Sequence, residues 1–232
     1  MAHHLYVTGT DTEVGKTRCS LALLHLLQRH GGTAVGMKPV ASGCEHTDDG
    51  WRNEDALALQ QGGRPSQQYQ WVNPFAFPAP TAPQIAAALC GATVTLAPIR
   101  QAFDRLANVA DNVVVEGVGG WLAPLADGLQ QAHVASALKL DVVLVVGLKL
   151  GCLNHARLTE NAIAADGLRL VGWIGNAVQP ANDYSDAYVQ LLRSQLRAPC
   201  LGLVAYTPYG SCADDAAGLV LPETPIAAGP AG

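Results

Sequence analysis

Apolar residues fall along the chain in two kinds of pattern. Short unbroken runs, Leu5 to Thr8, Thr33 to Met37, Asn112 to Glu116, Asp141 to Gly147, Leu170 to Gly175 and Cys200 to Val204, read as strands. Between them lie stretches with apolar residues at helical spacing, such as Leu21, Leu24 and Leu27 within Thr17 to His30, and shorter ones over Ala56 to Gln61, Ile85 to Leu89 and Ile99 to Leu106. A strand that is apolar throughout, rather than at alternate positions, is buried on both faces. The pattern therefore predicts an α/β fold, a mostly parallel β-sheet with helices on both faces. Ser42 to Asn53 reads as a polar loop. Gly62 to Pro83, rich in proline yet carrying Trp71, Phe75 and Phe77, reads as an ordered irregular loop. From Tyr209 onward Gly, Ala and Pro dominate, which predicts a poorly ordered tail.

The chain has 232 residues, 49% of them hydrophobic and 14% charged, enough apolar material for one autonomously folding domain spanning 1–232. Net charge is -5 with 14 Lys plus Arg and no basic run, so neither nucleic acid nor an anionic membrane is an expected partner. The longest strongly apolar stretch, Val142 to Leu148, is far short of the roughly 20 residues needed to span a bilayer. The N-terminus lacks a basic region followed by a long apolar run, which makes the cytoplasm the expected location. The six cysteines show no CxxC or CxxH spacing and read as small buried hydrophobes or incidental surface thiols.

The most informative segment is Gly9-Thr10-Asp11-Thr12-Glu13-Val14-Gly15-Lys16-Thr17, where Gly-Lys-Thr closes a loop that leaves the first predicted strand and opens the first predicted helix. Backbone N–H groups at such a helix start point at bound phosphate. Lys16 can reach the outer phosphates and the Thr17 hydroxyl can coordinate Mg2+. The wording departs from GxxxxGK[ST], because Gly9 sits one position early. Asn176-Ala177-Val178-Gln179 keeps the Asn of a guanine-binding Asn-Lys-x-Asp but lacks its acid, which favours adenine. Asp11 stands where nucleotide-sandwiching ATPases carry an extra lysine.

Glu116 ends a predicted central strand and Asp55 opens a predicted helix; ligands of open α/β sheets bind at the carboxyl ends of the strands. With Thr17 the two carboxylates would supply hard oxygen ligands for Mg2+. Asp55 reads equally well as an ordinary first-turn carboxylate favoured by the helix dipole. Lys38 also ends a strand, with Ser42 shortly after it, so a cation and a hydroxyl could converge near the phosphates; a lone lysine before a proline is more often a surface residue. His25, His30, His46, His133 and His155 show no paired ligand spacing.

Four segments in order, Gly9 to Thr17, Lys38-Pro-Val-Ala-Ser-Gly43, Glu116-Gly-Val-Gly-Gly-Trp121 and Val145 to His155, resemble the signatures of the dethiobiotin synthetase family. The resemblance implies a homodimer of P-loop NTPase-type subunits that joins CO2 to 7,8-diaminononanoate with ATP and Mg2+. It implies phosphate binding by Thr12, Glu13, Val14, Gly15, Lys16 and Thr17, with Lys16, Thr12 and the cation Lys38 as the catalytic group. It implies a metal held by Thr17, Asp55 and Glu116. Glu116, Gly117, Val118, Gly119, Asn176, Ala177, Ala205, Tyr206 and Thr207 would line the nucleotide site, Asn176 at adenine. Ser42 would contact the substrate, and Gly151, Cys152, Leu153 and Asn154 would reach its carboxylate end across the dimer interface. Val118, Ala177 and Val204 to Pro208 depart from the family pattern. A different P-loop ligase and a nucleotide-dependent switch are the competing classes; the first usually carries a glutaminase domain for which this length leaves no room, and low charge counts against the second.

Overall fold

The computed structural model describes residues 4–207 and 211–222. Six strands form the main sheet: β1 (His4–Gly9), β2 (Ala34–Met37), β7 (Asn112–Gly120), β10 (Asp141–Gly147), β11 (Leu170–Asn176) and β12 (Cys200–Val204). Their order is β12-β11-β10-β1-β7-β2, and every neighbouring pair is parallel. The first strand therefore sits inside the sheet, with the predicted phosphate loop leaving its carboxyl end. Between β2 and β7 lie the short strands β3 (Val40–Ser42), β4 (Glu45–Thr47), β5 (Gly50–Arg52) and β6 (Phe75–Phe77); β8 (Pro124–Ala126) and β9 (Leu129–Gln130) follow β7. The helices are α1 (Lys16–Arg29), α2 (Glu54–Gly62), α3 (Tyr69–Val72), α4 (Pro83–Leu89), α5 (Leu96–Ala107), α6 (Gln131–Leu138), α7 (Cys152–Ala165), α8 (Ser185–Gln195) and α9 (Cys212–Ala217).

Successive residues of each strand feed opposite faces of the sheet, which is why its strands are apolar at every position. Leu5, Val7, Val114, Val143 and Val145 pack with Leu23, Leu24 and Leu27 of α1. Tyr6, Val113, Val115 and Val142 pack on the other face with Ile99, Phe103 and Leu106 of α5 and Val134 and Ala135 of α6. Leu144, Val146 and Trp173 form a third cluster beneath α7 and α8. Among the described residues no helix is long and apolar enough to cross a membrane.

Three readings of the sequence need correction. Within Ser42 to Asn53 lies a small antiparallel hairpin, β4 with β5, turned over Asp48 and Asp49 into Gly50, whose φ of 99° favours glycine. Within Gly62 to Pro83, β6 pairs in parallel with β3, and α3 packs Val72 into the core. The tail is ordered over 211–222: α9 packs on α1, and Val220 N–H donates to Leu201 O at 2.8 Å, covering the β12 edge. Tyr209, Gly210 and residues 223–232 of that tail lie outside the described residues.

Candidate active site

The loop between β1 and α1 is held from below by Val14, which is fully buried and packs against Gly9 and Gly147; a β-carbon at either glycine would fall within 3.0 Å of the Val14 side chain. Thr10 N–H donates to Val145 O at 3.0 Å, so pairing with β10 runs one residue past β1. The early position of Gly9 is thereby accommodated. Glu13, with φ of 57°, and Gly15, with φ of 85°, give the loop two left-handed residues. Gly15 caps α1 without any side-chain hydrogen bond. The first-turn N–H groups thus have no side-chain cap, as an anion-binding helix start requires.

A cavity of about 490 Å³ opens above the loop, lined by Thr12, Glu13, Gly15, Lys16, Thr17, Arg18, Lys38, Ser42, Asn53, Asp55, Glu116, Val118 and Gly119. Within it the Lys38 ammonium stands 2.6 Å from Glu116 Oε1 and 2.6 Å from Asp55 Oδ2, and the Thr17 hydroxyl donates to Glu116 Oε1 at 2.9 Å. Lys38 is buried, so the surface reading of this lysine fails. Burial alone pulls its ammonium down, but the charges and hydrogen bonds of Glu116 and Asp55 outweigh that and hold it above the ordinary lysine value. Burial raises the Asp55 carboxyl, whereas Lys38 and the Thr17 hydroxyl lower it further, leaving it below the usual range. Lys16 is pushed down to about 8 by burial and by the nearby charge of Lys38; its Nζ donates to Asp11 O at 2.8 Å.

Two carboxylates and a hydroxyl are hard oxygen donors of the kind that hold Mg2+ alongside nucleotide phosphates. Glu116 Oε2 is buried without a hydrogen-bond partner. An orphaned carboxylate oxygen beside a second carboxylate fits a dication. No cluster of three or more His, Cys, Asp or Glu able to hold a metal occurs among the described residues.

Other expected site residues lie outside this lining. Gly117 approaches Tyr6 and Gln131 so closely that a β-carbon would stand 2.8 Å from the Tyr6 hydroxyl oxygen. Asn176 is buried under the loop, donating from Nδ2 to Val14 O at 2.9 Å, while its Oδ1 has no partner. Ala177 N–H donates to Val204 O. Ala205, Tyr206 and Thr207 follow β12, and the Thr207 hydroxyl accepts from Arg18. Gly151 caps α7 in a left-handed conformation and Cys152 is buried. Leu153 and Asn154 line a separate hollow of about 350 Å³ with Arg157, Leu158, Asn161 and Gln195.

Arg18 and Asn53 are cavity residues that sequence reasoning missed. Asn53 was legible as a helix cap: its Oδ1 accepts from Ala56 N at 3.2 Å, one residue before the α2 turn that carries Asp55. Arg18 is fixed by Asp215 of α9, with Nε and Nη2 each 2.6 Å from one carboxylate oxygen. The Ser211-x-x-Asp214 capping box was a readable signal for that helix.

Residues 3–211 match the AAA domain family. The MinC:MinD cell division complex of Aquifex aeolicus superposes with a TM-score of 0.55 at 14% identity, covering 89% of this chain and 82% of that one. A ParA family ATPase from Chlorobium tepidum gives 0.54 at 11% identity, covering 88% and 85%. At those identities the likeness speaks for a P-loop NTPase fold and nothing finer. The ATP-dependent dethiobiotin synthetase BioD of Xanthomonas oryzae pv. oryzae is 57% identical over 218 residues, 94% of this chain and 97% of the relative. The protein of the same name from Xylella fastidiosa is 55% identical over 205 residues, 88% and 91% of the two chains. Because that identity spans nearly the full length of both partners, the chain belongs to the ATP-dependent dethiobiotin synthetase family.

Proposed function

We propose that this chain closes the cyclic urea of dethiobiotin from 7,8-diaminononanoate, CO2 and ATP in the cavity above the Gly9–Thr17 loop. The observation that carries the reading is the convergence there of Lys16, Lys38, Thr17, Asp55 and Glu116 around an uncapped helix start. One amine of the substrate adds to CO2 and gives up a proton, forming a carbamate. A carbamate oxygen attacks the γ-phosphorus as ADP leaves with the bridging electron pair. The neighbouring amine then attacks the carbonyl carbon, loses a proton and expels phosphate. These steps ask for alignment and charge neutralisation rather than a protein nucleophile.

The loop amides from Thr12 to Thr17 and the Lys16 ammonium receive the phosphates in this reading. Lys38 offsets the charge on carbamate and phosphoryl oxygens, and Thr12 and Ser42 hydrogen-bond the reacting end of the substrate. Thr17, Asp55 and Glu116 hold Mg2+, which when bound neutralises phosphate charge. Val118, Gly119 and Gly117 wall the nucleotide site; Ala177 and Ala205 to Thr207 face its base, with Asn176 holding the loop from beneath through Val14 O. Gly151 to Asn154 serve the substrate's carboxylate end on a second copy of the chain, making the working unit a homodimer. The whole chain acts as one α/β domain in the cytoplasm. An assay with Mg2+-ATP, labelled bicarbonate and 7,8-diaminononanoate tests the reaction: labelled cyclic urea appears in step with ADP, whereas ADP formed without the urea would overturn the assignment.

A further inference from the structure

The Lys38 backbone is gripped from both sides by the α3 turn. Its N–H donates to Val72 O at 2.8 Å, and its carbonyl accepts from Asn73 Nδ2 at 2.7 Å. Asn73 is buried, and Nδ2 also donates to Phe75 O at 3.1 Å. Both amide hydrogens are thus committed to carbonyls, so Oδ1 must face the other way. There it accepts from the Tyr69 hydroxyl at 2.9 Å. The Tyr69 oxygen in turn accepts from Asn53 N–H at 2.8 Å, and Asn53 caps the helix that carries Asp55. The ring is pinned by the Arg52 guanidinium, 4.2 Å from its centroid.

Lys38 and the capped start of the helix that carries its 2.6 Å ion-pair partner Asp55 are therefore fastened to opposite ends of one chain of hydrogen bonds. Its direction is fixed throughout, because an N–H starts it at Asn53 and a carbonyl ends it at Lys38. We infer that Tyr69 and Asn73 are positioning residues that set the Lys38 ammonium against Asp55 and the reacting oxygens. The inference rests on the role proposed above for Lys38. Neither residue lines the cavity, so neither acts on ligand directly. The three-residue β3–β6 pairing continues the same attachment, with Phe75 N–H donating to Pro39 O at 3.2 Å.

Tyr69→Phe keeps the ring, its stacking on Arg52 and its packing, and removes the link between Asn73 Oδ1 and Asn53 N–H. Turnover is expected to fall about 10- to 100-fold, as a misplaced catalytic group costs. ATP dissociation constants measured without the diamine should stay within about 3-fold, since the phosphate loop is untouched. Asn73→Ser provides a second disruption and should show the same split. The deciding measurement is the double variant. In a Lys38→Ala background Tyr69→Phe should cost nothing further, because its effect passes through Lys38. Unchanged turnover in folded Tyr69→Phe and Asn73→Ser, or a full additional loss on top of Lys38→Ala, would overturn the positioning role. Near-normal turnover in Lys38→Ala alone would instead overturn the reading of Lys38 on which that role rests.

Discussion

Lys38 and Glu116 meet at 2.6 Å just past the last β2–β7 pair, both withdrawn from water. Removing one partner of such a pair leaves a buried charge uncompensated, at a cost of about 3–5 kcal/mol. Lys38→Ala should therefore lose turnover far more than ATP affinity, and should also unfold at lower urea. Pairing Lys38→Met with Glu116→Gln removes both charges and should restore most of the stability while leaving turnover abolished. Urea midpoints and single-turnover assays on the three variants separate the two effects; a double variant as unstable as Lys38→Met would show that charge pairing is not what stabilises this corner.

Asp215 links the last described helix to the cavity wall. Its carboxylate takes two hydrogen bonds from Arg18, whose guanidinium also reaches Thr207. Charge-assisted bidentate pairs are the strong kind, and this carboxylate is nearly buried. Asp215→Ala should cost roughly 2–3 kcal/mol of stability. It should raise the KM for ATP several-fold through the freed Ala205–Thr207 segment, with the KM for the diamine unchanged. Equal rises in both KM values would place the effect elsewhere.

The phosphate loop was readable because its chemistry demands a local sequence order: strand, glycine-bounded turn, Gly-Lys-Thr, helix. Asp55 was readable for the same reason, in a helix first turn, whereas Glu116 was singled out as a strand-end acid although β7 runs four residues past it to Gly120. Lys38 was ambiguous, since a strand-end lysine carries no sign of burial until Glu116, 78 positions away, is placed beside it. The brace behind Lys38 was invisible. A four-residue helix and two three-residue strands have no measurable period, and Asn73 reveals its purpose only through the Lys38 carbonyl. The helix over Cys212–Ala217 was hidden similarly, its six residues being held by tertiary contacts and not by amphipathic length.

Val14 is the peg on which the phosphate loop sits. A β-carbon at Gly147 would stand 2.9 Å from Val14 Cγ1 and 3.4 Å from its Cα, so the added methyl meets backbone as well as side chain. Gly147→Ala should cost about 1–3 kcal/mol by overpacking. If relief comes by lifting the loop, ATP binding weakens by more than the stability loss alone accounts for. Calorimetric titration of the folded variant checks this, and wild-type affinity would mean that the core beneath the loop yields instead.

Asp111 ties the starts of two adjacent strands together: its carboxylate accepts from Thr33 N–H at 2.8 Å and from the Thr33 hydroxyl at 2.6 Å. The hydroxyl and backbone hydrogen bonds from Thr33 hold its carboxyl below the ordinary carboxylate range. A depressed carboxylate means that the unfolded chain binds the proton more readily than the folded one. The contribution is therefore complete above the unfolded value of about 3.9, and is lost as pH falls through the lower folded value. Asp111→Asn keeps the shape but removes the titration. The variant should be less stable than the parent at pH 7, and the gap should close as pH falls below about 4. Urea unfolding of both proteins across that range measures the gap directly. A difference that stayed constant with pH would show that the carboxylate's charge contributes nothing and that only the geometry of the Thr33 contact matters.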